Sequence, residues 1–168
     1  DAMTDVVREM QRLYWRLESA PLVTLAEIDS LALGGGLELA LACDLRVAAL
    51  EARLGLPEAR LGLLPGAGGT QRLTRLCGPG LAKRLILGAE VIDGAAAERL
   101  GLVQWAVPRE QLADFARDIA SRYAAMPKAA LAANKRCIAA ATDPARDGYA
   151  DEIAETRTLY DHADTRAK

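Results

Sequence analysis

Two carboxylates in this sequence stand beside glycine-rich stretches that lead into helices. Glu38 follows three consecutive glycines, 34–36, and lies in an apolar stretch with helical spacing. Glu58 precedes a second glycine-rich stretch, 66–69, which again continues into a helical pattern. A glycine loop lets the backbone approach a ligand closely, and a helix that begins there presents free N–H groups to it. Each stretch can therefore place an anion-stabilising amide and a carboxylate around one small volume.

Glu38 and Glu58 are a candidate acid/base pair. Most glutamates on helices are solvated surface charges, and either residue alone would be interpreted in that way. Both neighbourhoods are strongly apolar, however, and each carboxylate adjoins a glycine loop. Two carboxylates held close in a dry pocket cannot both ionise freely, so we expect one to keep a proton at neutral pH while the other acts as base.

Other motifs for catalysis or cofactor binding are incomplete in the sequence. Neither glycine loop fits G-x-G-x-x-G, because Leu39 and Gln71 stand where the third glycine is required. Ser30 lacks the flanking glycines of a nucleophile elbow, and the single histidine, His162, lies in a polar run that is typical of a surface residue. Dinucleotide binding and Ser-His-Asp hydrolysis are therefore disfavoured.

Composition narrows the class of protein further. The chain has 168 residues, is 51% hydrophobic and carries a formal net charge of -2, which allows one sizeable core and no basic surface for nucleic acid or an anionic membrane. No transmembrane segment, signal peptide or metal-ligand spacing is visible in it. Three widely spaced cysteines favour buried thiols in a reducing cytosol: Cys43, Cys77 and Cys137.

The order of the predicted elements indicates an α/β fold with an all-α end. Apolar spacing predicts strands over 22–28, 45–49, 53–56 and 102–107. It predicts helices from Val6 to before Pro21, from the first glycine loop to Cys43, and over 70–76, 81–87, 90–100, 110–125, 127–141 and 145–164. We place a domain boundary between an α/β core, 1–107, which carries both loops, and a helical region, 108–168. The two tryptophans lie on apolar patterns that favour core or interface packing: Trp15 and Trp105.

The segments 32–44 and 57–73 resemble the signature of the crotonase superfamily, most closely that of the enoyl-CoA hydratases. The resemblance runs from about residue 6 to residue 166 and includes the pattern over 101–108. The spacing of the two glutamates (58 − 38 = 20) also agrees with the family. Two motifs of this length at this separation are highly specific for the superfamily.

The resemblance implies a ββα spiral and hydration of a 2-enoyl-CoA thioester. It implies that Glu38 and Glu58 hold and activate water, and that the N–H of Gly35 supplies one donor to the thioester oxyanion. The N–H of Gly66 is similarly placed to help position the water. CoA is then part of the substrate, with no metal and no further cofactor. Isomerases of the superfamily typically keep one of the two glutamates, so the pair favours hydration.

The sequence departs from the family pattern in two places. Ser30 stands where the family usually has glycine, in the turn before the first glycine loop. The strand-strand-helix turns with which the family's chains begin are absent upstream of Asp1, and the family's C-terminal tail does not continue past Lys168. Those turns carry the other oxyanion donor and much of the CoA-binding surface. We therefore expect the C-terminal part of a crotonase-like fold, and weak or no activity from the 168-residue chain alone.

Two alternatives stay open beside a hydratase of fatty-acid or related acyl-CoA degradation. One is another crotonase-type acyl-CoA enzyme, either an enoyl-CoA isomerase or a hydratase of a branched or dicarboxylic acyl chain. The other is a non-catalytic crotonase-like assembly partner. The expected location is the cytoplasm, with the mitochondrial matrix as the alternative.

The resemblance also implies self-assembly through the last helices. The family closes trimers with this region and often pairs them into hexamers. We therefore expect a homo-oligomer, a trimer or a dimer of trimers, built on 108–168. The apolar residues on which this expectation depends are Leu112, Phe115, Ile119, Ile138, Ile153 and Leu159.

Overall fold

The computed structural model describes residues 2–161 of the chain. Strands and helices alternate up to residue 107 and helices alone follow, which confirms the predicted α/β class with a helical end. The helices are α1 (Ala2–Glu18), α2 (Gly35–Ala42), α3 (Gly69–Leu87), α4 (Gly94–Arg99), α5 (Arg109–Ala124), α6 (Lys128–Ala140) and α7 (Gly148–Asp161). The strands are β1 (Leu25–Ile28), β2 (Leu31–Leu33), β3 (Leu45–Ala49), β4 (Arg53–Gly55), β5 (Val91–Asp93) and β6 (Trp105–Val107), and a 3₁₀ helix spans Pro57–Leu61.

The chain forms two compact units. Unit 1 consists of the chain up to Glu18 together with Thr24–Ile119, and unit 2 consists of Ser19–Val23 together with the chain from Ala120 onward. The division falls within α5, whereas the roles assigned to 1–107 and 108–168 stay predictions. His162 and the predicted end of the last helix at residue 164 lie outside the described residues.

Unit 1 contains two three-stranded sheets. Sheet A has the order β1-β3-β6 with parallel neighbours, and sheet B has the order β2-β4-β5, in which β5 is antiparallel to β4. Four of the five residues of β3 are buried, which explains its continuous apolar run. Local patterns did not predict β2 and β5, and β5 lies at the start of 90–100, the stretch that was predicted as turn and helix. Strands of three residues are too short to show a period of two.

Helix α2, which carries Glu38, packs against neighbouring residues on two sides. Its residues Leu37 and Leu41 are buried in the aliphatic core of unit 1. On another side, Tyr14 of α1 is buried with Ala42 of α2 and Ala67 of the second glycine loop. Packing of α1 therefore ties α2 to the second glycine loop.

A buried arginine fixes the end of the same helix. Arg46 of β3 is 3% exposed, and its guanidinium donates to the carbonyls of Ala40, Cys43 and Leu102 and to the side chain of Gln104. A buried guanidinium is stable only when its N–H groups are paired, and here three backbone carbonyls and the side-chain oxygen of Gln104 accept from it. The last turn of α2 is thereby anchored to the loop before β6.

Some predicted packing differs from the structure. The side chain of Trp15 is 64% exposed, so it is not packed in the core, and interface packing, the other predicted role, stays a prediction. Trp105 packs edge-on against Phe115 with ring centroids 6.0 Å apart. The apolar stripe of α1 is narrow and faces Ala42, and Trp15 lies outside it. Within the described residues the three cysteines form no disulfide, and they are half-buried rather than buried. The predicted break between 70–76 and 81–87 is a kink at Gly78 inside α3.

The apolar residues assigned to assembly divide into two groups. Leu112 and Ile119 of α5 are buried, so they are not available to another chain as predicted, and Phe115 of the same helix is half-buried against the core of unit 1. Ile138 and Ile153 of unit 2 are 73% and 67% exposed, and Leu159 is half-buried. Helices α6 and α7 contact each other and are joined by a bidentate ion pair, in which Arg136 donates to both carboxylate oxygens of Glu155 at 2.6 and 2.7 Å.

Candidate active site

Glu38 lies in the first turn of α2 and is 3% exposed. Its Oε1 accepts a hydrogen bond of 2.8 Å from the N–H of Gly69, the first residue of α3. The carboxylate therefore occupies the N-terminus of α3, where the helix dipole favours negative charge.

The environment of Glu38 favours its neutral form more than water does. Burial raises the pKa of this carboxyl above its ordinary value, and the negative charge of Glu58 raises it further. Hydrogen bonds from the backbone of Gly69 and Ala67 and the charge of Arg72 act in the opposite direction and do not cancel the rise. This balance agrees with the expectation that a close carboxylate pair keeps a proton.

The raised pKa predicts a pH-dependent stability difference. In the folded chain Glu38 keeps its proton to a higher pH than in the unfolded chain, where its pKa is about 4.3. The free energy of unfolding therefore falls as the pH rises from about 4.3 through the raised pKa of the folded state. Glu38→Gln removes this cost. The free energy of unfolding of the variant, relative to the wild type, should therefore be greater at about pH 7.5 than at about pH 4.

Urea unfolding at the two pH values measures this difference. Glu9→Gln is the matched control, because Glu9 lies in an exposed ion pair with Arg12. A relative stability of Glu38→Gln that is constant with pH, or that falls as the pH rises, contradicts the assignment.

Glu58 lies in the 3₁₀ helix Pro57–Leu61 and is half-buried. Its Oε2 is buried, and no group in residues 2–161 donates a hydrogen bond to it. Its Oε1 faces the first glycine loop, since a Cβ at Gly34 would lie 3.2 Å from that oxygen. Its charge acts on Glu38, so the structure brings the two predicted carboxylates into one neighbourhood. A buried carboxylate oxygen without a hydrogen-bond donor is energetically costly.

The first glycine loop orients the N–H of Gly35. Gly34 has φ 55° and ψ −127°, a conformation that only glycine adopts readily, and its N–H donates to the carbonyl of Gly55 in β4 at 3.0 Å. The carbonyl of Gly34 accepts from the N–H of Glu38 at 3.0 Å. In a trans peptide the next N–H points the opposite way, so that of Gly35 points out of the N-terminus of α2. An oxyanion donor needs this orientation.

The second glycine loop packs tightly against the first carboxylate. Gly68 has φ 109°, and a Cβ at Gly69 would lie 2.8 Å from Cβ of Pro65 and 3.0 Å from Oε1 of Glu38. The carbonyl of Gly66 accepts a hydrogen bond of 2.7 Å from Nε2 of Gln11. The loop is thus held by α1 on one side, and the absence of a side chain at Gly69 lets α3 begin directly at the carboxylate. The assignment of the Gly66 N–H to a water stays a prediction.

Three neighbours of the site were missed by the sequence analysis. They are Gly69, which donates to Glu38; Arg72, whose charge lowers the pKa of Glu38; and Tyr14, whose own pKa is raised by burial and by the charge of Glu38. The double glycine at 68–69 before a helical run was a usable signal for an N–H donor. No local pattern indicated the other two, because they reach the site through tertiary packing.

A separate cleft of about 810 Å³ lies in unit 1. None of the four predicted site residues lines it, so it is distinct from the carboxylate pair. It is bordered by Leu31, Leu33, Arg53, Arg60, Arg84, Gly88, Glu90 and Val91.

Neither a metal site nor a membrane span is found in the part of the chain that the structure describes. Over residues 2–161, no three His, Cys, Asp or Glu side chains are grouped so that they could hold a metal ion. No helix in the same range is both long and apolar enough to cross a membrane.

Known proteins resemble this chain closely. The mitochondrial methylglutaconyl-CoA hydratase of Mus musculus is 53% identical over 100 residues, which cover 60% of this chain and 32% of that protein. The short-chain-enoyl-CoA hydratase of Clostridium acetobutylicum is 42% identical over 127 residues, which cover 76% of this chain and 49% of that protein. The structure of DspI from Pseudomonas aeruginosa has a TM-score of 0.93 at 38% identity, covering 98% of this chain and 63% of that one.

The chain is shorter than these relatives, and it spans between about a third and just under two thirds of their lengths. The structural likeness extends over almost all of this chain and confirms the fold that the glycine-loop motifs implied. A family model described as enoyl-CoA hydratase/isomerase matches residues 2–167. The chain therefore belongs to the enoyl-CoA hydratase/isomerase family, the crotonase superfamily.

Proposed function

We propose that the protein adds water across the 2,3 double bond of a 2-enoyl-CoA thioester. The observation that carries the proposal is the carboxylate pair, in which buried Glu38 is held by the N–H of Gly69 and Glu58 has a buried oxygen without a donor. Two relatives, from Mus musculus and Clostridium acetobutylicum, are named as hydratases of acyl-CoA substrates. Their names support the same reaction class here.

In the proposed mechanism the two carboxylates divide the proton transfers. The oxygen of water bonds to Cβ of the substrate while one carboxylate, of Glu38 or Glu58, takes the proton of that water. The other delivers a proton to Cα, so the double bond is consumed and no redox partner is required. Negative charge develops on the thioester oxygen, and the N–H of Gly35 is proposed to stabilise it, by about 2.7–4 kcal/mol for one donor. The N–H of Gly66 is proposed to hold the water.

A comparison of two substrates tests the reaction class. The protein is incubated with crotonyl-CoA and, separately, with a 3-enoyl-CoA, and the products are separated by chromatography. The proposal expects a 3-hydroxyacyl-CoA from crotonyl-CoA. A shift of the double bond without a hydroxylated product favours an isomerase, and no turnover of either substrate by folded protein favours an assembly partner.

The remaining assignments follow the same proposal. CoA enters as part of the substrate, and we propose no further cofactor, no nucleic-acid partner and no membrane partner. Half-buried cysteine thiols without a disulfide support a reducing compartment, which we propose to be the cytoplasm. The mouse relative is named as mitochondrial, which supports the mitochondrial matrix as the alternative.

We propose that the protein is a homo-oligomer, a trimer or a dimer of trimers, built on unit 2. Exposed apolar side chains on α6 and α7 support this, namely Ile138 at 73%, Ile153 at 67%, Tyr149 at 83% and Tyr160 at 71%. Light scattering at micromolar concentration should give the mass of an oligomer with threefold symmetry.

The double substitution of Ile138→Asp and Ile153→Asp should lower that mass to one chain. The control is Leu87→Asp, since Leu87 is as exposed as Ile138 but lies at the end of α3 in unit 1. A monomeric wild type at this concentration overturns the assembly proposal.

A further inference from the structure

One face of α1 reaches the second glycine loop at two places. Gln11 donates to the carbonyl of Gly66 at 2.7 Å, and Oε2 of Glu18 accepts from Nε and Nη2 of Arg72 at 3.0 and 2.9 Å. Tyr14 lies between them on the same face, and its hydroxyl makes a long hydrogen bond of 3.4 Å to the first loop. Helix α1 therefore contacts both glycine-loop regions through one face.

Arg72 occupies the interior of the second loop. Its side chain is 10% exposed, and its Nη1 donates to the carbonyl of Ala67 at 3.0 Å. A Cβ at Gly68 would collide with the same nitrogen, so the guanidinium fills the space that this glycine leaves. The next residue, Gly69, donates to Glu38. The guanidinium thus fixes the loop directly before the N–H group that holds the carboxylate.

The charged or titratable side chains that interact with Glu38 come from three elements. Glu58 faces it from the 3₁₀ helix, Arg72 from α3, and Tyr14 from α1. Arg72 supplies a positive charge in this neighbourhood, and that charge lowers the pKa of Glu38. Glu18, whose side chain is 42% exposed, partly neutralises that charge.

We propose that Arg72, held in place by Glu18, is a positioning residue that fixes the second glycine loop against Glu38 and supplies the positive charge beside that carboxylate. The proposal rests on the proposed function, in which Glu38 transfers a proton. It assigns a role to a side chain that acts on Glu38 through the second glycine loop and its charge, without a proton transfer of its own. Removal of the Arg72 guanidinium and removal of the Glu18 carboxylate should therefore shift the titration midpoint of Glu38 in opposite directions.

Carbon-13 NMR of glutamate carboxyl groups tests this on the protein itself, without a substrate. Glu38→Gln identifies the resonance of Glu38, and its titration midpoint is then measured in two variants. Arg72→Gln removes the positive charge, so the midpoint should rise. Glu18→Gln leaves the guanidinium uncompensated, so the midpoint should fall.

A matched control and a second variant complete the experiment. Glu9→Gln makes the same chemical change on the same helix, in an exposed ion pair, and should leave the midpoint unchanged. Arg72→Lys keeps the charge but cannot reproduce the planar contacts to Ala67 and Glu18, so the midpoint should rise less than in Arg72→Gln while kcat for hydration falls.

A midpoint that rises in Arg72→Gln and falls in Glu18→Gln supports the proposal, because a general loss of packing would not shift the midpoint in opposite directions. A midpoint that Arg72→Gln leaves unchanged, or that moves in the same direction in both variants, overturns it. Should Arg72→Gln not fold, a midpoint that does not fall in Glu18→Gln overturns it instead. Failure of the wild type to hydrate an enoyl-CoA, with the shifts as expected, contradicts the proposed function alone.

Discussion

Glu38→Gln is expected to lower kcat for hydration of crotonyl-CoA about 10²- to 10⁴-fold, and Glu58→Gln is expected to do the same. Glutamine keeps the size of the side chain, and its carbonyl oxygen can still accept the N–H of Gly69. It cannot take up or deliver a proton during the reaction, however. Steady-state hydration of crotonyl-CoA measures the effect, and circular dichroism checks that each variant is folded.

The double variant sharpens this prediction. If the two carboxylates act as one unit, then the combined substitution should cost little more than either alone, because the remaining partner has no proton transfer to complete. Glu27→Gln, at an exposed position of β1, is the control and should leave kcat unchanged. A kcat near the wild-type value in either single variant removes that residue from the mechanism.

Gly34→Ala is expected to lower kcat/KM about 10²- to 10³-fold, as the loss of one oxyanion donor does. Alanine is strained at φ 55° and ψ −127°, and its Cβ would lie 3.2 Å from Oε1 of Glu58. The loop must then turn differently, which redirects the N–H of Gly35. One substitution would thus disturb both a proposed donor and a proposed carboxylate.

Gly36→Ala is the control for this prediction. It lies in the same loop and is exposed, and a Cβ there would meet nothing within 4 Å. Its kcat/KM should stay within a few fold of the wild-type value. Equal losses of kcat/KM in Gly34→Ala and Gly36→Ala would contradict this prediction, because the backbone geometry of Gly34 would then not be the cause.

Local patterns predicted the parts of the site that are local in the chain. Three glycines before an apolar run indicated the N-terminus of α2, and the structure begins that helix at Gly35 with Glu38 in its first turn. The proximity of Glu58 to Glu38 could not be predicted from a local sequence pattern alone. It was inferred from two similar neighbourhoods and from the family resemblance, and the structure places the two charges close enough to interact.

Tertiary contacts explain what the sequence could not predict. Gly69 is 31 positions from Glu38, and Arg72 is 54 positions from Glu18, so no helical or strand period connects them. The same limit applies to assembly, because the apolar spacing of α5 cannot tell whether Leu112 faces its own core or another chain. The structure buries it at 2% exposure.

Hydration of crotonyl-CoA in ¹⁸O-labelled water tests the central claim most directly, with the product analysed by mass spectrometry. The account predicts a 3-hydroxyacyl-CoA that carries one solvent oxygen at C3, and a rate of incorporation that falls by orders of magnitude in Glu38→Gln and Glu58→Gln. A product without solvent oxygen, or incorporation that neither substitution slows, would contradict a hydratase built on this carboxylate pair.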